Sequence, residues 1–263
     1  MSQLEESENL TPIAYDIDHS IGFLRFNNPR KFNALPQAGW LAIAPAISAM
    51  VDAKVRVIVI TGENQNFCAG ADISEFDTVR KNAETAHIYE QSNIEAFAAI
   101  RNAPVPTIAS IDGHCLGGGF GLAAACDLRF ATPEAKFAVP AARLGLGYPV
   151  DAMGDIVGAI GQQNTKRLLF TAETFTASQM LDFGFLAQIV PQTEIKDVVM
   201  ECATKISKLA PLTHHATKAA IDASSGGDRN RAVQLSDATF TSDDYAEGRR
   251  AFKERRKPDF SGD

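Results

Sequence analysis

The sequence predicts an α/β core of strands alternating with helices, followed by a helical C-terminal part. Three observations predict it. Residues 55–60, Val-Arg-Val-Ile-Val-Ile, form a β-branched run that ends at Thr61-Gly62, as a buried strand does. Residues 106–111 repeat that texture and end at Asp112-Gly113. Beyond Asp151 almost everything to Arg256 has helical periodicity, broken by the strand-like stretch 185–190.

The other elements follow in order. Residues 13–16 and 21–26 alternate around Asp18-His19, which suggests a hairpin. From 36 to 51 the apolar residues Trp40, Ile43, Ala44, Ile47 and Val51 recur at helical spacing. Residues 84–101 read as a second helix, Asp112-Gly113 as the turn into a glycine-rich helix start, and 128–131 and 135–139 as short strands. No repeat or low-complexity linker separates an independent second domain. The expected division is a disordered tail over 1–11, an α/β core over 12–195 and a helical oligomerisation region over 196–263.

Composition narrows the partners. The 263 residues are 45% hydrophobic, with a mean hydropathy of −0.08, which suits a globular protein with a full core. No apolar run is long enough to span a bilayer. The acidic, polar start, MSQLEESENLTP, has the features of neither a secretory signal nor an Arg-rich transit peptide. With 25 basic against 32 acidic residues the net charge is −7, which argues against nucleic acid as the main ligand. Cys68, Cys115, Cys126 and Cys202 show no metal-ligand spacing. They are expected to be reduced, structural thiols of a cytoplasmic protein, and no metal is expected.

Two segments carry the chemistry. The first runs from Thr61 to Ile73 and contains Phe67-Cys68-Ala69-Gly70-Ala71-Asp72. Its small side chains let a ligand approach the backbone, and free N–H groups where a helix starts favour negative charge. A tight strand-to-helix connection without a ligand would read the same. The second runs from Asp112 to Asp127 and holds Gly117-Gly118-Gly119. It has neither the Lys-Ser/Thr of a phosphate loop nor a dinucleotide-binding context; close helix packing is its plainer explanation. Two such loops after two buried strands suggest a pair of N–H donors facing one developing oxyanion.

The stretches FCAGADI, GGGFGLAAACDLRFA, FAVPAARLGLG and EGRRAFKERRKPDF resemble segments of the crotonase, or enoyl-CoA hydratase/isomerase, family in order and spacing. The resemblance covers residues 12 to 260. It implies a spiral core of ββα turns forming two sheets, with C-terminal helices that assemble trimers or dimers of trimers. It also implies coenzyme A as part of a thioester substrate, with no permanently bound cofactor and no membrane partner. The oxyanion donors would be the amides of Ala71 and Gly118. Coenzyme A would lie along Arg30, Lys31, Phe32, Ala69, Gly70, Asp72, Ile73 and Gly117, and Phe252 and Arg255 would reach a neighbouring subunit's coenzyme. Where some hydratases carry a phosphate-binding Lys, this chain has Ser74.

The chain departs from a hydratase at both catalytic glutamates, whose positions hold Gly121 and Ala141. Neither residue moves a proton. Tyr148 is a replacement candidate or an aromatic lining of the acyl pocket. Asp151 either faces the pocket or caps the next helix. His114 and Asp127 read as structural, and Arg143 as a surface ion-pair partner or a reader of an acyl carboxylate. The resemblance, with these departures, thus implies an acyl-CoA lyase or isomerase with an unusual acid/base group. Two alternatives stand beside it: a malonyl-type decarboxylase or acyl-CoA hydrolase, and a non-catalytic acyl-CoA-binding subunit.

Overall fold

A computed structural model describes residues 11–263, so the expected N-terminal tail lies outside the described residues but for its last position. The chain opens with the antiparallel hairpin β1 (Ile13–Asp18) and β2 (Ile21–Phe26), followed by α1 (Gln37–Asp52) and β3 (Val57–Gly62). Next come the one-turn α2 (Phe76–Val79), α3 (Ala83–Arg101), β4 (Thr107–Ile111), β5 (His114–Leu116) and α4 (Gly118–Ala124). The strands β6 (Leu128–Ala131) and β7 (Lys136–Ala138) lead to α5 (Val150–Thr171). After β8 (Phe175–Thr176), α6 (Ala177–Asp182) and β9 (Gln188–Ile189), the chain ends in α7 (Ile195–Ser207), α8 (Pro211–Ser224), α9 (Arg229–Thr239) and α10 (Asp243–Glu254).

The larger sheet has the order β1-β2-β3-β4-β6-β9, and β5-β7-β8 form a second, smaller sheet. All pairs of the larger sheet beyond the hairpin are parallel, so both of its faces must be covered. Alternation along β3 shows how. Ile58 and Ile60 enter the main core with Leu24, Phe26, Trp40 and Phe97. Val57 and Val59 face the other way, onto Val199 and Ala203 of α7. Core packing therefore continues past residue 195 into the first of the C-terminal helices.

The mixed α/β class and the helical C-terminal part agree with the sequence reading, and the strand at 128–131 has the expected bounds. Three details differ. Asp112-Gly113 does not open a helix; it turns the chain into β5, and the helix begins only at Gly118. The strand expected over 185–190 shrinks to β9, because Phe185 and Leu186 turn into the main core. The helix after Pro149 is broken at Gly161, whose φ of 71° and ψ of 163° lie outside the helical region.

The C-terminal motif is held by its own charges. Glu247, buried in α10, accepts from Arg250, Arg256 and the Asp259 amide. Those bonds, with Arg256 first, hold its carboxyl well below the usual carboxylate range. Asp244 Oδ1 accepts the amides of Ser261 and Gly262 at 2.8 and 3.1 Å. Arg56, just before β3, donates to the carbonyls of Ser207 and Phe260, which ties the tail to the sheet.

Candidate active site

Two loops build the site, and each is fixed by backbone pairing. After β2 a 3₁₀ turn, Pro29–Lys31, ends with Phe32 and Asn33 both in the left-handed region. Asn33 tolerates it because its buried side chain replaces backbone partners: its amide donates to Glu63 O at 2.8 Å and Asn66 O at 2.6 Å, and its Oδ1 accepts from Asn28 N. Phe32 O receives the Ala69 amide at 3.0 Å. Leu35 then bridges to Ala71 in parallel, donating to Gly70 O at 2.7 Å and accepting from Asp72 N at 2.9 Å. Successive amides of an extended segment alternate in direction, so the Ala71 N–H is turned away from Leu35.

Asp72 caps the 3₁₀ turn Ile73–Glu75 through Ser74 N. Its carboxylate takes the Lys31 ammonium at 2.6 Å, and the same ammonium lies 2.8 Å from Ser74 Oγ. Burial pushes the Asp72 carboxyl up, but the hydrogen bonds from Lys31 and Ser74 outweigh it and hold the group below its ordinary value. A lysine from another loop thus brings its charge to the serine where a local lysine was missed in the sequence.

The second loop lies directly on the first. Cys68 and Cys115 form a parallel bridge, with Cys68 N donating to His114 O and Leu116 N to Cys68 O. Gly117 has φ 53° and ψ −118°, a conformation that favours glycine. Gly118 is the first residue of α4, so its amide has no partner inside the helix. A Cβ on Gly70 would fall 2.8 Å from Leu116 O and 2.9 Å from Gly118 N. The two backbones meet with no room for a side chain. On the other side of Gly118 stands Trp40, whose Cη2 lies 2.6 Å from where a Cβ would be.

Tyr148 approaches from the segment before α5. Its hydroxyl donates to Gly117 O at 3.0 Å, the carbonyl of the peptide whose nitrogen is the Gly118 amide. In a planar trans peptide the C=O and N–H point in opposite directions, so a bond that steadies the carbonyl also steadies the amide. Burial pushes the phenol well above its ordinary pKa, with the nearby Cys115 and Asp155 adding to the effect. The ring packs against the main core together with Ala71 and Ala141.

The remaining sequence candidates are placed differently. Asp151 is not a helix cap: α5 is capped by Pro149, and the exposed Asp151 sits in its first turn. It lines a cleft of 530 Å³ with Arg101, Asp155, Lys218 and Arg231, whose walls include neither glycine loop. Arg143 is exposed and forms no ion pair among the described residues, so the surface pair read from the sequence is not made. Asp127 has the structural role expected, taking Thr107 N and Oγ1 and the Lys218 ammonium on one oxygen. His114 Nδ1 is 2.6 Å from Asn66 Oδ1, and its ring lies against Phe32.

The structure therefore brings Lys31, Phe32, Ala69, Gly70, Ala71, Asp72, Ile73, Gly117, Gly118 and Tyr148 to one region, with Arg30 beside it on the same 3₁₀ turn. Phe252 and Arg255 stand apart on α10 and its cap, Phe252 lining a groove with Tyr245, Arg249 and Phe260. Sequence reasoning missed Asn33, which pins the first loop, and Trp40 and Phe97, which meet edge to face with ring centroids 5.8 Å apart beside Gly118 and Gly121. A left-handed Asn after an aromatic leaves no periodic signal, and Trp40 reads simply as a core position.

An α/β chain in which two glycine loops meet at Gly70 and Gly118 has the architecture of a family of acyl-CoA enzymes. The chain belongs to the enoyl-CoA hydratase/isomerase family, whose model matches residues 16–263. It is 31% identical over 254 residues to a crotonyl-CoA hydratase of Syntrophomonas wolfei, covering 94% of this chain and 97% of that one. A crystal structure of an enoyl-CoA hydratase/isomerase family protein from Hyphomonas neptunium has a TM-score of 0.90 at 34% identity, over 96% of this chain and 98% of that one. An enoyl-CoA hydratase/carnithine racemase from Magnetospirillum magneticum also has a TM-score of 0.90, at 29% identity over 96% of both chains. Among the described residues no helix is long and apolar enough to cross a membrane.

Proposed function

We propose that this chain binds an acyl-CoA thioester with its carbonyl oxygen between the amides of Ala71 and Gly118, and stabilises the enolate that forms there. The observation that carries this reading is the direct contact of the two loops at Gly70 and Gly118. Preorganised donors of this kind act on charge as it develops and contribute about 3–4 kcal/mol when one is lost. Arg30, Lys31, Phe32, Ala69, Gly70, Asp72, Ile73 and Gly117 would hold the coenzyme, and Phe252 and Arg255 that of a neighbouring copy in a trimer or dimer of trimers.

The reaction within this class is a lyase or isomerase step that does not use the usual pair of glutamates. Gly121 and Ala141 supply no acid or base. Tyr148, neutral at physiological pH, is the ionisable side chain at the Gly117–Gly118 peptide and is our first candidate for handling a proton. Asp151 is the second, and stands behind Tyr148 because it lines a separate cleft.

Decarboxylation of a malonyl-type thioester is favoured next by the same absence. Cleavage of the bond from the α-carbon to the carboxylate releases carbon dioxide and leaves its electron pair in the enolate. Only one proton then has to be delivered to the α-carbon. Incubating the protein with enoyl-, 3-hydroxyacyl-, malonyl-type and saturated CoA thioesters tests the whole reading. Turnover of one class identifies the step; binding without turnover of any would leave an acyl-CoA-binding subunit; failure to bind every thioester would end the proposal.

A further inference from the structure

Between α2 and α3, next to the site, the structure holds a cluster of hydrogen-bond donors without acceptors. Among the described residues, Tyr89 Oη, Asn93 Nδ2 and Arg80 Nε are all buried and without a hydrogen-bond partner. Tyr89 is wholly buried and Asn93 nearly so. Leaving one buried polar group unpaired costs about 1–3 kcal/mol, so three in one place call for an explanation. Native interiors satisfy nearly all such groups.

The three belong together. The Arg80 guanidinium lies 4.5 Å from the Tyr89 ring centroid and 4.9 Å from that of Phe76. Its Nη2 makes only a long contact, 3.5 Å, with Asn93 Oδ1. No carboxylate pairs with Arg80 among the described residues. A half-buried guanidinium lying against two aromatic rings, themselves edge to face and 6.0 Å apart, is held in place by packing. The Glu75 and Asp72 carboxylates act on the neighbouring Tyr89 phenol, but neither forms an ion pair with Arg80. A buried charge without an ion-pair partner is costly, and the planar guanidinium fork suits a carboxylate.

The cluster also lies one side chain away from the glycine loops. Tyr89 lies beside the indole of Trp40, and the same indole abuts Gly118. Burial pushes the Tyr89 phenol up to about 12, so it remains a neutral donor. A path of contacts therefore runs from the Gly118 amide across one tryptophan to three unused donors.

Resting on the thioester reading, we propose that Arg80, Asn93 and Tyr89 bind a carboxylate at the far end of the acyl group, so that the substrate is the CoA thioester of a dicarboxylic acid. The carboxylate would accept from the guanidinium, the amide and the phenol, leaving none of the three unpaired.

The test compares binding of charged and uncharged thioesters of matched length, succinyl-CoA against butyryl-CoA and glutaryl-CoA against valeryl-CoA, by calorimetry. The intact protein is expected to bind at least one dicarboxylic thioester about ten- to a hundredfold more tightly than its uncharged counterpart, the range of a charged hydrogen-bonded contact. Arg80→Met should abolish that preference and leave the uncharged thioester unaffected; Asn93→Ala should reduce it. An intact protein that binds the uncharged thioesters as well or better overturns the inference while the thioester reading stands. So does an unchanged preference in Arg80→Met. If none of the four binds, the thioester reading fails and this inference with it. Should Arg80→Met not fold, Arg80→Lys keeps the charge without the fork, and the matched preference in the intact protein still decides the matter.

Discussion

The Tyr148 hydroxyl lies 2.5 Å from the point where a Cβ on Gly121 would stand, with the Phe97 ring 2.8 Å away on another side. The position that the family resemblance assigns to a hydratase glutamate is therefore filled, and what fills it is the phenol that also holds Gly117 O. Gly121→Ala is expected to destabilise the protein by about 1–3 kcal/mol through overpacking. Adding Tyr148→Ala should recover part of that loss. Urea denaturation of the two single variants and the double variant measures the coupling; additive effects would show that the two sites do not share this space.

The Lys31–Asp72 pair makes a prediction about pH. A carboxyl held below its ordinary value contributes stability that is present above its unfolded pKa of about 3.8 and lost as pH falls through the folded one. Asp72→Asn should therefore cost about 1 kcal/mol at pH 7, a modest figure because Lys31 is half exposed. The gap between variant and parent should close towards pH 3. Denaturation at both pH values tests it, and a gap that widens in acid would reverse the sign of the argument.

How much of this was legible in the sequence depended on the length of the signal. The β-branched runs of β3 and β4 and the period of α1 and α3 span enough residues to declare themselves. The strands β5 and β8 have three and two residues, too few for alternation to appear, and they exist because β7 lies between them. The glycine loops were readable because Gly70, Gly117 and Gly118 are needed where two backbones touch. Asp151 misled because Asp near a helix start is a common cap, while the chain here places Pro149 there. Lys31 at Ser74, and Arg80 over Tyr89, are contacts between separate segments, which no spacing within one segment reveals.

Thiol chemistry gives a third check. Burial pushes the Cys68 and Cys126 thiols up to about 12 and Cys115 well above its usual value, while Cys202 is only partly buried. Thiolates are the reactive form. A chromogenic disulfide at pH 8 should titrate no more than one thiol in the native protein and all four after unfolding in guanidinium. Rapid modification of two or more in the native state would contradict the burial.

The C-terminal helices leave Leu209, Ile221, Val233, Phe240 and Phe252 exposed on the single chain. Obligate interfaces are built from such apolar surface. Sedimentation should give three or six times the chain mass of 28.3 kDa, and a stable monomer at micromolar concentration would refute the assembly. Phe252→Asp is expected to weaken either the assembly or the affinity for coenzyme A, since the side chain is 86% exposed on one chain and has no packing role within it.

The last prediction concerns the missing acid/base pair. Each general acid or base contributes roughly 10²–10⁴-fold, so crotonyl-CoA hydration by this protein should be slower than that of a two-glutamate enzyme by at least the lower figure. Gly121→Glu with Ala141→Glu should not restore it while Tyr148 occupies the space; adding Tyr148→Ala is the combination that tests restoration. On the native substrate, Tyr148→Phe removes both the phenolic proton and the bond to Gly117 O. Its effect separates the two roles. Loss of a proton donor lowers kcat, leaving the carbonyl stretch of a bound ¹³C-labelled thioester unchanged. Loss of the bond to Gly117 weakens the polarisation of that carbonyl through the Gly118 amide and shifts the stretch back towards its value in water. Fast crotonyl-CoA hydration by the unmodified protein would show that another acid/base pair serves the site. A Tyr148→Phe variant with unchanged rate and unchanged carbonyl frequency would return Tyr148 to pocket lining and make Asp151→Asn the next variant to assay.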